Sequence, residues 1–450
     1  MARVKTVFVC SACGGVAPKW AGQCGDCGEW NTLVENVAGA NKRDRAGGYA
    51  GDSRVLALAD SDAVARPRLA TGIGEFDRVL GGGLVPGSVS LIGGDPGIGK
   101  STLLLQVVAA LSSATNCLYV SGEESLEQIG MRAKRIGVAD AAITLCAETR
   151  VESIVATATT SKPGVLVIDS VQTMYSADLP SAPGTVAQLR ECAAQLVRFA
   201  KGSGAAIFLV GHVTKEGVIA GPRVLEHMVD TVLYFESDAG SRYRIIRAAK
   251  NRFGAAHEIG VFAMTDTGVR AVSNPSSIFL SHDREAAAGS CVLVTREGSR
   301  PLLVEVQALA CDNPSGNPRR VAVGYEQNRL AMLLAVMQRH AGVVLAGQDV
   351  FVNIVGGVRI TETAADLPIL LAVMSSFRDR PIPAPVLAFG EIGLAGEIRP
   401  VPYGEERVAA AAKQGFKRAI VPLANRPKKP VEGIEVLGVK RLLDAIDALS

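Results

Sequence analysis

The strongest chemistry in the chain lies in one run, Gly94-Asp95-Pro96-Gly97-Ile98-Gly99-Lys100-Ser101-Thr102. The spacing Gly-x4-Gly-Lys-Ser lets consecutive backbone N–H groups form a nest for phosphate oxygens. The lysine then reaches the β- and γ-phosphates and the serine hydroxyl ligates magnesium. The pattern has this meaning only between a strand and a helix. Both flanks read that way, 88–92 (SVSLI) as a buried strand and 101–111 (STLLLQVVAAL) as a helix. ATP and Mg²⁺ are the expected ligands. Asp169 closes a second apolar run, 164–168 (GVLVI). A carboxylate at the carboxyl end of a central strand, beside the phosphate loop, is placed to hold the magnesium and its waters.

One strand–helix unit separates these two motifs. Its strand is 117–120, and Ser125-Leu-Glu-Gln128 fits a capping box that starts the next helix. Glu123 and Glu124 therefore fall in the loop at a strand's carboxyl end. Either could orient and deprotonate an attacking water, or both could simply complement the positive end of the helix. His212 follows another apolar run, 206–210, where a polar side chain can sense the γ-phosphate or be an ordinary loop histidine.

A different chemistry opens the chain. Cys10-Ser-Ala-Cys13 and Cys24-Gly-Asp-Cys27 are two C-x-x-C turns, each offering two thiolates. Four soft ligands at this spacing suit a closed tetrahedral Zn²⁺ site in a segment too short to build a core of its own. A redox pair would sit at the start of a helix in a thioredoxin-like unit, and none surrounds these turns. Cys117, Cys146, Cys192, Cys291 and Cys311 stand singly among apolar residues and read as core packing.

The elements that must position these groups follow from composition and period. The 450 residues are too many for one ordinary core, and with 5% aromatics the core must be built mainly from aliphatic side chains. The reading is a Cys- and Gly-rich module at 1–35, a polar linker at 36–66, an α/β ATPase domain at 67–275 and a second α/β domain at 276–450. Within the last, 367–374 reads as a core helix and the run CVLVTREGSRPLLVEVQAL as a hairpin. A net charge of +3 gives no global basic field, so any nucleic-acid contact must be local. No run approaches the roughly 18 apolar residues of a membrane span. A cytoplasmic protein with reduced thiols, making no membrane contact, is expected.

The segment TGIGEFDRVLGGGLVPGSVSLIGGDPGIGKSTLL resembles the opening of RecA-superfamily ATPases. Together with the four cysteines, YVSGEES at 119–125 and KNRFG at 250–254, the chain resembles the bacterial RadA (Sms) family. EVQALA, DVFVNIVGG and GEIGLAGEIR look like that family's Lon-protease-like domain. The resemblance implies a RecA-like core, hexameric rings, binding of single-stranded and branched DNA, and ATP-driven branch migration in recombinational repair beside RecA. It assigns Lys100 and Ser101 to the Walker A positions, Asp169 to Walker B, and Glu123, ahead of Glu124, to the catalytic glutamate. Lys250-Asn251-Arg252-Phe253-Gly254 matches the family's signature motif, whose cations could clamp DNA phosphates or enter a neighbouring subunit's nucleotide site. Lys215 and Arg223, beyond His212, become candidates for a DNA-facing loop. Lon-type proteolysis needs a serine activated by a lysine. The matching segments, 362–367 (ETAADL) and 404–407 (GEER), contain neither. A Lon-like scaffold without protease chemistry is expected.

Overall fold

The computed structural model describes residues 5–13, 15–38, 67–212, 225–237, 242–280, 287–313, 316–383 and 385–449. The chain divides into two compact units, Met1–Val272 and Ser273–Ser450.

The cysteine-rich segment forms strands β1 (Lys5–Cys10), β2 (Val16–Ala17) and β3 (Leu33–Ala38), antiparallel with β1 central. Its apolar core is small: Cys10, Cys24 and Leu33 are buried, with Phe8, Ala12, Cys13 and Ala17 packed around them. β3 pairs with the whole of β1, from Leu33 opposite Cys10 to Ala38 opposite Lys5. It therefore runs past residue 35, where polarity alone suggests a linker, because a main-chain ladder is indifferent to side-chain polarity. The rest of that linker, 39–66, lies outside the described residues.

The ATPase segment is a nine-stranded sheet. Its strands are β4 (Val89–Gly94), β5 (Cys117–Ser121), β6 (Ile143–Ala147), β7 (Val165–Asp169), β8 (Ala206–His212), β9 (Thr231–Glu236), β10 (Tyr243–Asn251), β11 (Ile259–Thr265) and β12 (Gly268–Ala271). They lie in the order β12-β11-β10-β9-β4-β8-β7-β5-β6. The run from β9 to β6 is parallel and the rest antiparallel. Alternate residues of the parallel strands feed two apolar clusters. Ile92, Tyr119, Val167 and Val210 pack under helices α1 (Gly74–Leu80), α2 (Lys100–Leu111) and α3 (Leu126–Arg135). Leu91, Val120, Ile168 and Leu209 pack under α4 (Val151–Ser161) and α5 (Val186–Ser203). Burial on both faces is why these strands read as unbroken apolar runs. The capping box at Ser125 and Gln128 is formed in full.

The second unit is a seven-stranded sheet. It comprises β13 (Ser290–Glu297), β14 (Arg300–Asp312), β15 (Arg320–Val323), β16 (Gln348–Ile354), β17 (Val386–Ala388), β20 (Arg418–Pro422) and β21 (Glu435–Val439), with a short ribbon of β18 (Glu391–Ile392) and β19 (Ile398–Arg399). β13 and β14 form the expected hairpin. Its helices are α6 (Gln327–Ala341), α7 (Asp366–Phe377), α8 (Gly404–Lys413) and α9 (Leu442–Asp447). The run 367–374 lies in α7, buried throughout. Two buried charges organise this unit. Asp366 accepts hydrogen bonds from the Tyr325 hydroxyl at 2.5 Å, the Ile392 N–H at 3.0 Å and both ends of the Arg329 fork. Arg407, only 1% exposed, grips the Glu362 carboxylate with Nη1 at 2.9 Å and Nη2 at 2.6 Å, and donates to the carbonyls of Val294 and Pro402.

Removing one partner of such a pair strands a buried charge. Glu362→Ala should lower the stability of this unit by about 3 kcal/mol in urea unfolding. Glu362→Leu combined with Arg407→Met should recover most of the loss.

Candidate nucleotide site and metal centre

β4 ends at Gly94 and α2 begins at Lys100, so the phosphate loop is the turn between them. Gly97 and Gly99 have φ of 75° and 116°. A Cβ on Gly99 would also fall 2.4 Å from Cε of Met264. The left-handed backbone favours glycine at both positions, and a Cβ at Gly99 would in addition displace the flexible end of Met264. Lys100 is 4% exposed. Its ammonium donates to the carbonyls of Gly94 at 2.7 Å and Asp95 at 2.9 Å, and lies 3.2 Å from His212 Nδ1. Burial pulls its pKa down to about 8, against the attraction of Asp169, Glu123 and Asp95.

His212 ends β8, in register with Gly94 of β4. An ammonium has only protons to offer, so Nδ1 is the acceptor and the ring proton sits on Nε2. That nitrogen donates to Glu123 Oε1 at 3.2 Å. Ser170 Oγ donates to the same oxygen. The His212 hydrogen bond, aided by Ser170 and Lys100 against the opposing effect of burial, holds the Glu123 carboxyl below its ordinary range. Glu124 has a different partner. Its carboxylate pairs with Arg132 of α3, and its N–H donates to Ser121 Oγ at 2.9 Å. The two adjacent glutamates are thus separated: Glu123 joins the lysine, and Glu124 is tied to its own helix.

Asp169 ends β7 and is 4% exposed. Its Oδ2 accepts from the Tyr119 hydroxyl at 2.5 Å. Ser101 lies in the first turn of α2; its hydroxyl and the Asp169 carboxylate are hard oxygen donors of the kind Mg²⁺ takes. Arg244 of β10 reaches the loop from the other side, donating to the Ile98 carbonyl at 3.4 Å.

The four cysteine sulfurs all lie within 4.8 Å of one another. Cys10 and Cys27 are 3.7 Å apart and Cys13 and Cys24 3.6 Å. A tetrahedron with Zn–S bonds of about 2.3 Å has edges of about 3.8 Å, so the set fits a closed Zn²⁺ site.

Three family descriptions match parts of the chain: AAA domain over residues 68–218, rubredoxin metal binding domain over 8–35, and subunit ChlI of Mg-chelatase over 321–425. Curated relatives match along its whole length. A protein of Pseudomonas aeruginosa named DNA repair protein RadA is 58% identical over 451 residues, covering 100% of both chains. Proteins of the same name from Escherichia coli and Bacillus subtilis are 56% and 48% identical, covering 98% and 99% of each chain. The chain belongs to the RadA family of DNA repair proteins. A KaiC-like protein of Pyrococcus horikoshii covers 46% of this chain and 99% of its own, at 18% identity and a TM-score of 0.39, a distance from which no residue correspondence follows. The RadA resemblance, the P-loop ATPase-type sheet, the zinc ribbon and the ChlI/Lon-like second unit thus stand together. Among the described residues no helix is long and apolar enough to cross a membrane.

The segment Lys250–Gly254 lies at the end of β10 and in the turn after it. Lys250 Nζ donates to the carbonyls of Glu226 at 2.5 Å and Val229 at 2.8 Å. Asn251 donates to the Val79 carbonyl at 3.2 Å and accepts from the Phe253 N–H at 2.9 Å. Gly254 lies against α1's terminal turn, where a Cβ would sit 2.8 Å from Gly81 Cα. Arg252 is the outward cation, its side chain 57% exposed and 3.3 Å from Asp230. Lys215 and Arg223 lie outside the described residues. Sequence reasoning missed Tyr119, Ser170 and Arg244. Tyr119 and Ser170 flank motifs already singled out, and Arg244 carries no signal of its own.

The Lys100 ammonium must be charged to hold phosphate. With its free-state pKa at about 8 and a phosphate ligand favouring the charged form, binding takes up a proton at higher pH. Affinity for a fluorescent ATP analogue should be flat below pH 8 and fall up to tenfold per unit above it. Lys100→Arg, charged throughout, should remove the slope.

Proposed function

We propose that this chain is a DNA-dependent ATPase that moves on single-stranded and branched DNA in recombinational repair and promotes branch migration. The observation that carries this reading is His212, which joins Glu123 to Lys100 and is also the last residue of β8. The segment that follows it in sequence bears Lys215 and Arg223, the candidates for DNA contact. A change in the phosphate site moves the imidazole, and the imidazole is covalently continuous with that segment.

In hydrolysis, Lys100 would hold the β- and γ-phosphates, and Glu123 would orient the attacking water and take its proton. Bound Mg²⁺ would neutralise charge on the phosphates, with Ser101 and Asp169 as the residues that hold it. His212 fixes Glu123 on the phosphate side of the loop and Ser170 supports it from below. Lys250 and Asn251 brace the turn that presents Arg252, an exposed cation that would leave its partner Asp230 to meet DNA phosphates or a neighbour's nucleotide. The zinc module serves as a structural or docking element. The second unit is read as a scaffold with no protease chemistry: segments 362–367 and 404–407 hold neither serine nor lysine, and the fork of Arg407 is filled by Glu362 and two carbonyls. A homo-hexamer in the cytoplasm, working beside RecA, completes the reading on family grounds.

The deciding measurement is steady-state ATP hydrolysis with and without single-stranded DNA over a salt series. DNA should stimulate hydrolysis, and the stimulation should weaken as salt rises. Lys100→Ala should abolish turnover, and Glu123→Gln should lower it by a factor on the order of 10² to 10⁴ while leaving ATP bound. Hydrolysis indifferent to DNA, or surviving Glu123→Gln, would instead indicate an ATP-gated scaffold.

A further inference from the structure

Asp169 is read above as a magnesium ligand, and the following rests on that reading. A carboxylate at a strand end can rotate about χ2, and a metal site needs it held in one orientation. Parallel pairing of β5 with β7 sets Ser121 opposite Asp169 and Tyr119 opposite Val167. Side chains alternate along a strand, so Tyr119 and Asp169 share a face of the sheet. The tyrosine is fully buried, in the same apolar cluster as Leu104, Ile129 and Val167. At the end of this apolar ring, its hydroxyl meets Asp169 Oδ2 at 2.5 Å.

We propose that Tyr119 is the positioning residue of the magnesium carboxylate, locking Oδ2 of Asp169 so that Oδ1 faces the phosphate site. The lock is rigid because the ring is held by packing and not by a flexible stem. A buried carboxylate without that donor would have to find another orientation or take in water.

The test is a magnesium titration of nucleotide binding on the full chain, read by the fluorescence of an ATP analogue, for wild type, Tyr119→Phe and Asp169→Asn. Affinity measured in EDTA serves as the metal-free reference. Tyr119→Phe should leave the EDTA affinity unchanged and raise the Mg²⁺ midpoint by about tenfold, the lower end of what loss of an outer partner costs a metal site. Asp169→Asn should raise it further. If Asp169→Asn raises the midpoint while Tyr119→Phe stays within twofold of wild type, the positioning role is overturned and Asp169 stands as ligand. If Asp169→Asn leaves the midpoint unmoved, the magnesium reading falls and the proposal with it. Should Tyr119→Phe fold too poorly to titrate, 4-fluorophenylalanine at 119 fills the space of the hydroxyl without a proton to donate. The midpoint must then rise as for Tyr119→Phe, and an unmoved one overturns the proposal.

Discussion

Parallel strands covered by helices on both faces have nowhere to put a charge except at their ends. The main chain is spent on neighbouring strands and the side chains on apolar packing. In the ATPase segment this gathers the groups of the phosphate site at one edge, where β4, β8, β7 and β5 stop at Gly94, His212, Asp169 and Ser121. The order of strands then decides which groups meet. β4 and β5 are three spacings apart, roughly 14 Å, too far for the lysine after one to touch the glutamate after the other directly. The strands between them supply the bridge: His212 from β8 and Ser170 after β7. The site is a consequence of topology before it is a consequence of any single residue.

The same constraint takes another form in the second unit. Charges that enter its interior are closed on themselves. Asp366 is saturated by Tyr325, Arg329 and a main-chain N–H, and Arg407 by Glu362 and two carbonyls. A buried pair of this kind contributes geometry more than net stability. Where the first unit gathers its charges at the end of a sheet, the second closes them into buried pairs.

Much of this was legible in the chain itself, for identifiable reasons. A phosphate loop, an apolar strand ending in Asp and paired C-x-x-C turns are local patterns, and each demands its own geometry from nearby residues. The boundary of β3 was not legible, because Asn36 and its neighbours are extended by pairing with β1 and not by their own polarity. The separation of Glu123 from Glu124 was only half legible. It depends on Arg132 in α3, eight residues on, and on His212, 89 residues away. Tyr119 was invisible as a functional residue, since an aromatic in an apolar strand reads as packing. Only the register of β5 on β7 brings its hydroxyl to the carboxylate. The motif 250–254 shows the reverse case: two of its polar side chains, conspicuous in sequence, are turned onto main-chain carbonyls.

The carbonyls that hold Lys100 also act as a threshold. In this structure the ammonium is solvated by its own loop, through Gly94 and Asp95, with the imidazole as a third partner. Any anion entering the nest must compete with those contacts. A lone phosphate offers few oxygens in exchange for a desolvated cation already at rest. A polyphosphate chain meets the whole row of loop N–H groups at once and recovers the loss many times over. A loop whose lysine is already held by its own carbonyls thus favours, without any steric gate, ligands long enough to meet the whole row of N–H groups.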